Sequence, residues 1–99
     1  MLVHTVYFWL KPELTVAQRA EFVRLVSALG RIKSVEKIYV GQPAKTEKRA
    51  IIDDSYSYAL TVICKDLAAH DAYQVDPIHD EFRNKCHTFW TRVQIYDAE

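Results

Sequence analysis

Tyr73 and His79 have the clearest chemical potential in this sequence, because they flank the step Asp76-Pro77. An aspartate N-cap followed by proline predicts that a helix starts here, with His79 in its first turn. A helix N-terminus disfavours a cationic imidazole, so His79 is expected to be neutral near pH 7 and able to accept a proton. The helix break at Asp76-Pro77 would let Tyr73, at the end of the preceding helix, face the same cavity as His79. Spacing alone favours a plainer alternative, in which both side chains are buried and hydrogen-bonded for packing.

The other three histidines give weaker signals. His4 shares its side of a strand with Val6 and Phe8, which by itself indicates a core histidine with satisfied hydrogen bonds. His70 and His87 are expected on solvent-facing helix surfaces. No two histidines are four residues apart and no HExxH motif is present, so no metal site is expected.

Nucleophilic and nucleotide-binding motifs are not expected either. Cys64 and Cys86 are 22 positions apart in apolar surroundings, which favours buried free thiols over a zinc or redox site. Gly30 and Gly41 are the only glycines, too few for a glycine-rich phosphate loop. The sequence therefore predicts no cofactor.

Composition excludes several classes of partner. The 99 residues, 49% hydrophobic and 26% charged, predict a single domain over residues 1–99. Thirteen basic and thirteen acidic residues give zero net charge, which argues against nucleic acid or an anionic membrane as partner. The apolar stretches are too short to span a bilayer, and Met1–His4 lacks the basic start of a signal peptide. We expect a cytoplasmic protein.

Periodicity defines the elements that must position Tyr73 and His79. Leu2–Leu10 alternates as a strand, and residues 15–29 have helical periodicity. Thr15 and Gln18 predict a capping box at the start of this helix, and Gly30 predicts a left-handed C-cap. The later segments are a strand Val35–Val40, a surface loop Gly41–Asp54, a strand Tyr56–Cys64, a helix capped by Asp66, a helix starting at Pro77 and a strand Phe89–Tyr96.

This order of elements predicts a ferredoxin-like α+β fold, βαββαβ, with a four-stranded antiparallel sheet. Right-handed crossovers place the helices on one face of the sheet. Neither the odd-numbered nor the even-numbered side chains of the first strand are clearly polar. The sheet face opposite the helices is therefore expected to pack against a second copy of the chain. The sequence therefore predicts a homodimer.

Three segments resemble the stress-responsive dimeric α/β-barrel (Dabb) family, and the resemblance covers essentially the whole chain. They are His4-x-Val6-x-Phe8-x-Leu10-Lys11, Asp54–Leu60 and His70–Phe82. The pattern Tyr-x-x-x-Pro-x-His-x-x-Phe within the last segment is the most specific. The resemblance implies a ferredoxin-like subunit whose sheet pairs with that of a second subunit to form a barrel.

The resemblance also implies roles for individual residues. In a polyketide cyclase of the family, a tyrosine and a histidine in this segment promote an intramolecular aldol condensation, and Tyr73 and His79 occupy those positions here. The implied pocket is lined by apolar side chains and a histidine: His4, Val6, Phe8, Phe22, Val26, Leu60, Phe82 and Trp90. This chain departs from that cyclase at Arg83, where the cyclase has glycine, and at Val26, where it has tyrosine.

The sequence leaves two functions open. The first is a cofactor-independent cyclase, lyase or isomerase acting on a small aromatic or carbonyl compound, with His79 as base and Tyr73 as hydrogen-bond donor. The second is a non-catalytic, stress-responsive dimer that binds small hydrophobic molecules or has a structural role. The two differ in whether Tyr73 and His79 contact one enclosed cavity.

Overall fold

The sheet and its helices follow the expected ferredoxin-like order. The computed structural model describes residues 1–99. Its elements are β1 (Leu2–Leu10), α1 (Val16–Ala28), β2 (Val35–Gly41), β3 (Tyr58–Cys64), α2 (Leu67–Gln74), α3 (Pro77–Cys86) and β4 (Trp90–Ala98). The strands form one antiparallel sheet in the order β2-β3-β1-β4. The predicted fold class is therefore confirmed.

The central strand β1 separates the two faces of the sheet. Its even-numbered residues are buried and its odd-numbered residues are half-buried. The even-numbered side chains other than His4 belong to one hydrophobic core with residues of all three helices, including Phe22, Tyr73 and Phe82. The helices therefore cover one face of the sheet, and the face that carries Tyr7 and Trp9 has no helix over it.

The predicted capping box begins α1, but the helix ends differently from the prediction. The Thr15 hydroxyl accepts a hydrogen bond from the Gln18 amide (3.1 Å), and the Gln18 side chain accepts one from the Thr15 amide (2.8 Å). Gly30 is not left-handed, because the chain continues into a 3-10 turn over Leu29–Arg31. A Cβ at position 30 would lie 2.5 Å from Cγ2 of Ile38, so glycine here permits a close approach to β2.

Two strand boundaries differ from the prediction by two residues, and two others by one residue. β3 starts at Tyr58 because Ser57 makes irregular bonds: its amide donates to the Phe8 carbonyl (2.7 Å) and its hydroxyl accepts from the Leu10 amide (2.9 Å). β4 extends to Ala98, two residues beyond the expected end, and places Asp97 opposite His4.

The break between α2 and α3 is built as predicted. Asp66 caps α2 by accepting from the Ala69 amide (2.9 Å), and Asp76 caps α3 by accepting from the Ile78 amide (2.8 Å). Pro77 occupies the first helical position, where its missing amide costs nothing. None of the helices is long and apolar enough to cross a membrane.

Asp76→Ala is expected to lower the free energy of unfolding by about 1 kcal/mol, because it removes a side-chain cap. Urea denaturation at a fixed protein concentration measures the change. Glu47→Ala, in an exposed part of the loop before β3, is the control and should have little effect. Equal stability of Asp76→Ala and the wild type would show that the carboxylate does not act as the cap.

Candidate active site

A cavity of about 310 Å³ lies between the covered face of the sheet and helices α2 and α3. Eight of its twelve lining residues are hydrophobic. The lining consists of His4, Val6, Phe8, Leu60, Tyr73, Gln74, His79, Phe82, Arg83, Trp90, Val93 and Ile95. Arg83, Val93 and Ile95 are exposed, so they mark the side on which the cavity opens to solvent. Such a lining suits a small, mostly apolar ligand.

Tyr73 lies in the last turn of α2 and is 1% exposed. Its ring meets the His79 ring edge to face, with centroids 4.8 Å apart, and lies 5.7 Å from the ring of His4. Burial raises the pKa of the Tyr73 phenol well above its ordinary value. The phenol is therefore neutral at physiological pH and can act as a hydrogen-bond donor.

His79 lies in the first turn of α3 and is 8% exposed. Its Nδ1 is buried and has no hydrogen-bond partner. Burial first, and then the positive charge of Arg83, lower the pKa of His79 below its ordinary value of 6.5. The imidazole is therefore neutral at pH 7. A buried ring nitrogen without a partner is unusual in a folded protein, and such an unpaired polar atom in a residue that lines a cavity indicates a functional role.

His4, His70 and Asp97 form a polar group beside Tyr73. His4 Nδ1 lies 2.5 Å from the Asp97 carboxylate, and the His4 and His70 ring centroids are 5.0 Å apart. His70 was expected to face solvent, but its side chain is only 13% exposed. The reason is its position three residues before Tyr73, which places both side chains on the inner face of α2.

The same three residues are the ones that could hold a metal ion. One possible ligand atom from each of His4, His70 and Asp97 lies within 4.8 Å of the other two. Histidine spacing within one helix does not reveal this group, because β1, α2 and β4 each contribute one member.

The structure brings most of the sequence-predicted site residues to the cavity. Tyr73 and His79 line it together with His4, Val6, Phe8, Leu60, Phe82 and Trp90. Phe22 and Val26 do not line it, because both are fully buried behind its wall. The Phe22 ring packs 5.2 Å from that of Phe8 and 5.8 Å from that of Phe82.

The predicted set omitted four lining residues, Gln74, Arg83, Val93 and Ile95. Arg83 was noted only as a departure from the related cyclase, although helical spacing also places it on the same helix face as His79, which lies four residues earlier. Val93 and Ile95 pair across the strands with Phe8 and Val6, so they share the covered face of the sheet. Their role depends on strand register, which the sequence does not fix.

Both cysteines are free and buried, as predicted. Burial raises the pKa of the Cys64 thiol, and it raises that of Cys86 to about 11. Neither thiol is ionised near neutral pH, and neither lines the cavity. The nucleophile of the site, if one is needed, is not a cysteine.

Comparison with known proteins agrees with this architecture. The family model of the stress responsive A/B barrel domain (Dabb) matches residues 2–99. Olivetolic acid cyclase from Cannabis sativa is 23% identical over 95 residues, which is 95% of this chain and 91% of the cyclase.

Two solved structures share the fold. Hydroxynitrile lyase from Passiflora edulis superposes with a TM-score of 0.80 at 17% identity, covering 98% of this chain and 90% of the lyase. A dimeric ferredoxin-like protein of unknown function from Thermobifida fusca gives a TM-score of 0.78 at 15% identity, covering 98% of this chain and 88% of that protein.

Proposed function

Since the chain belongs to the Dabb family, we propose that its cavity binds a small aromatic or carbonyl compound and catalyses cofactor-independent acid–base chemistry on it. The observation that carries this proposal is the pair Tyr73 and His79: their rings are 4.8 Å apart in one cavity, and Nδ1 of His79 is buried without a partner. A cyclase and a lyase among the similar proteins support the reaction class.

The proposed chemistry starts with proton removal from carbon. The neutral imidazole of His79 accepts a proton from the carbon next to a carbonyl group, and the electron pair of the broken C–H bond moves to the carbonyl oxygen. The Tyr73 hydroxyl donates a hydrogen bond to the resulting enolate oxygen. The imidazolium of His79 then gives a proton, which it can first exchange with solvent, to the enolate or to the product formed from it, so no net charge is gained or lost.

Apolar walls strengthen these steps. Val6, Phe8, Leu60 and Phe82 replace water around the reacting carbonyl, and a low local dielectric increases the strength of the hydrogen bond to the enolate. The lowered pKa of His79 keeps its imidazole unprotonated at pH 7, the state in which it can act as base. General-base catalysis of this kind contributes about 10²- to 10⁴-fold in rate.

Hydrogen–deuterium exchange at the methyl group of acetophenone tests the proposal, because it reports proton removal without requiring the natural substrate. NMR spectroscopy in D₂O follows both the exchange rate and the binding of the ketone. We expect faster exchange with the protein than in buffer. If the ketone binds in the cavity and exchange is not accelerated, the non-catalytic alternative is correct: a small-molecule-binding dimer, for which the mainly apolar lining is sufficient.

We propose further that the protein is a homodimer closed by the uncovered sheet face. That face exposes aromatic side chains, with Tyr96 63% exposed beside Tyr7, and Arg92 stacked 4.2 Å from the Trp9 ring. A similar structure is described as dimeric. Light scattering at micromolar concentration should give twice 11.5 kDa.

A charge on that face should separate the subunits, because it would be buried without a partner. Tyr7→Lys is expected to give a monomer, whereas Val16→Lys, at an 87% exposed position on α1, should remain a dimer. A monomeric wild-type protein at micromolar concentration would contradict the proposed interface.

A further inference from the structure

Arg83 lies at the mouth of the cavity and is the only lysine, arginine, aspartate or glutamate among its lining residues. The remaining lining residues are apolar, apart from the side chains of His4, Tyr73, Gln74 and His79. Arg83 is absent from the ion pairs of the chain, although the neighbouring Lys85 pairs with Glu81. An unpaired guanidinium beside an apolar cavity offers up to five N–H donors in a planar fork, the geometry that a carboxylate matches.

The position of Arg83 relative to His79 adds a geometric constraint. The two residues are four positions apart on α3, so their Cβ atoms lie about 5–6 Å apart on one helix face. His79 is buried whereas Arg83 is exposed. The helix therefore places the neutral His79 ring in the lining of the cavity and a cation at its opening.

From this arrangement we infer that the cavity selects carboxylic acids whose carboxylate binds Arg83 at the opening while a carbonyl group lies between Tyr73 and His79. The inference rests on the proposed function, since it names the substrate class of the same site. A molecule with an aromatic or alkyl body between the two groups would cover the apolar wall formed by Trp90, Val93 and Ile95. Neutral compounds of equal shape would lack the ionic contact.

The charge environment of His79 is consistent with an anionic ligand. Among the charged groups around its imidazole, Arg83 and His4 lower its pKa, and Asp80 and Asp76 raise it. Arg83 has the largest effect of these four. A carboxylate bound to Arg83 would offset that effect, so ligand binding would increase the affinity of His79 for the proton it removes.

The test compares 4-acetylbenzoate with 4-acetylbenzamide, which have the same ketone and nearly the same shape. Isothermal titration calorimetry should show that the wild-type protein binds the acid about 10- to 100-fold more tightly than the amide, as expected for a charge-assisted hydrogen bond. Arg83→Gln should remove this preference, with a larger loss of affinity for the acid than for the amide. Lys85→Gln, on the same helix but outside the cavity, should retain it.

Two results would overturn the inference: equal affinity of the wild-type protein for acid and amide, or an acid preference that persists in Arg83→Gln. Both are affinity measurements, so they do not depend on turnover. If the protein prefers the acid but does not accelerate hydrogen–deuterium exchange of the ketone, the proposed catalysis is refuted and the inference about Arg83 stands. If it accelerates exchange but does not prefer the acid, the inference is refuted and the proposed catalysis stands. A melting temperature measured for each variant identifies any loss of binding that results from unfolding.

Discussion

Replacing His79 with alanine is expected to lower the exchange rate of bound acetophenone by about 10²- to 10⁴-fold, because the base that accepts the proton is removed. The ketone should still bind, since the apolar walls of the cavity remain. Exchange measured by NMR at saturating ketone separates the rate from the affinity. The rate of the wild-type protein should also fall at acidic pH, with a midpoint below the ordinary histidine value of 6.5, because burial lowers the pKa of the His79 imidazole.

Two variants serve as controls for this loss of rate, and a third tests the hydrogen-bond donor. His79→Gln keeps most of the side-chain volume and should be as slow as His79→Ala, even if the smaller residue destabilises the fold. His87→Ala replaces an exposed histidine at the end of α3 and should keep the wild-type rate.

Tyr73→Phe should lower the rate more than the affinity, because it removes only the hydrogen-bond donor. If the His79 and Tyr73 variants lose stability but keep their rate per folded protein, the pair is structural.

Phe22→Ala is expected to lower the free energy of unfolding by about 3–5 kcal/mol, the largest change in stability that we predict. Phe22 is fully buried, and its ring packs within 6 Å of the rings of Phe8, Tyr58 and Phe82. The substitution leaves a cavity at the point where α1 meets the sheet. Urea denaturation at a fixed protein concentration measures the loss, because a dimer gains stability with concentration.

Phe22→Leu is the matched control, since it keeps most of the apolar volume. It should lose clearly less stability than Phe22→Ala. A loss below about 1 kcal/mol in Phe22→Ala would show that the wall behind the cavity does not depend on this ring.

Local signals in the sequence were sufficient for much of the fold. The structure contains three features that neighbouring residues alone predict. They are the alternating burial along β1, the capping box at Thr15 and the helix start at Asp76-Pro77. Gly30 shows the limit of such signals. Its role is set by the approach of Ile38 from another strand, which no local pattern encodes.

The candidate site was less accessible to sequence reasoning, because it depends on register between distant segments. Asp97 was missed because β4 was expected to end at Tyr96, and only the full strand places Asp97 opposite His4. His70 was assigned to the wrong side of α2, although its spacing from Tyr73 indicates the inner face. The step Asp76-Pro77 is sufficient to single out Tyr73 and His79 as candidates, whereas spacing alone favours a packing role and only the family resemblance assigns them a chemical one.

A crystal structure of the protein with bound acetophenone tests the central claim most directly. We predict that the ketone oxygen lies within about 2.6–3.2 Å of the Tyr73 hydroxyl and that the methyl carbon faces the His79 imidazole. A ketone bound in the cavity with its oxygen away from Tyr73 and its methyl group away from His79 would contradict the proposed mechanism. So would a ketone found only on the opposite face of the sheet, beside Trp9 and Arg92.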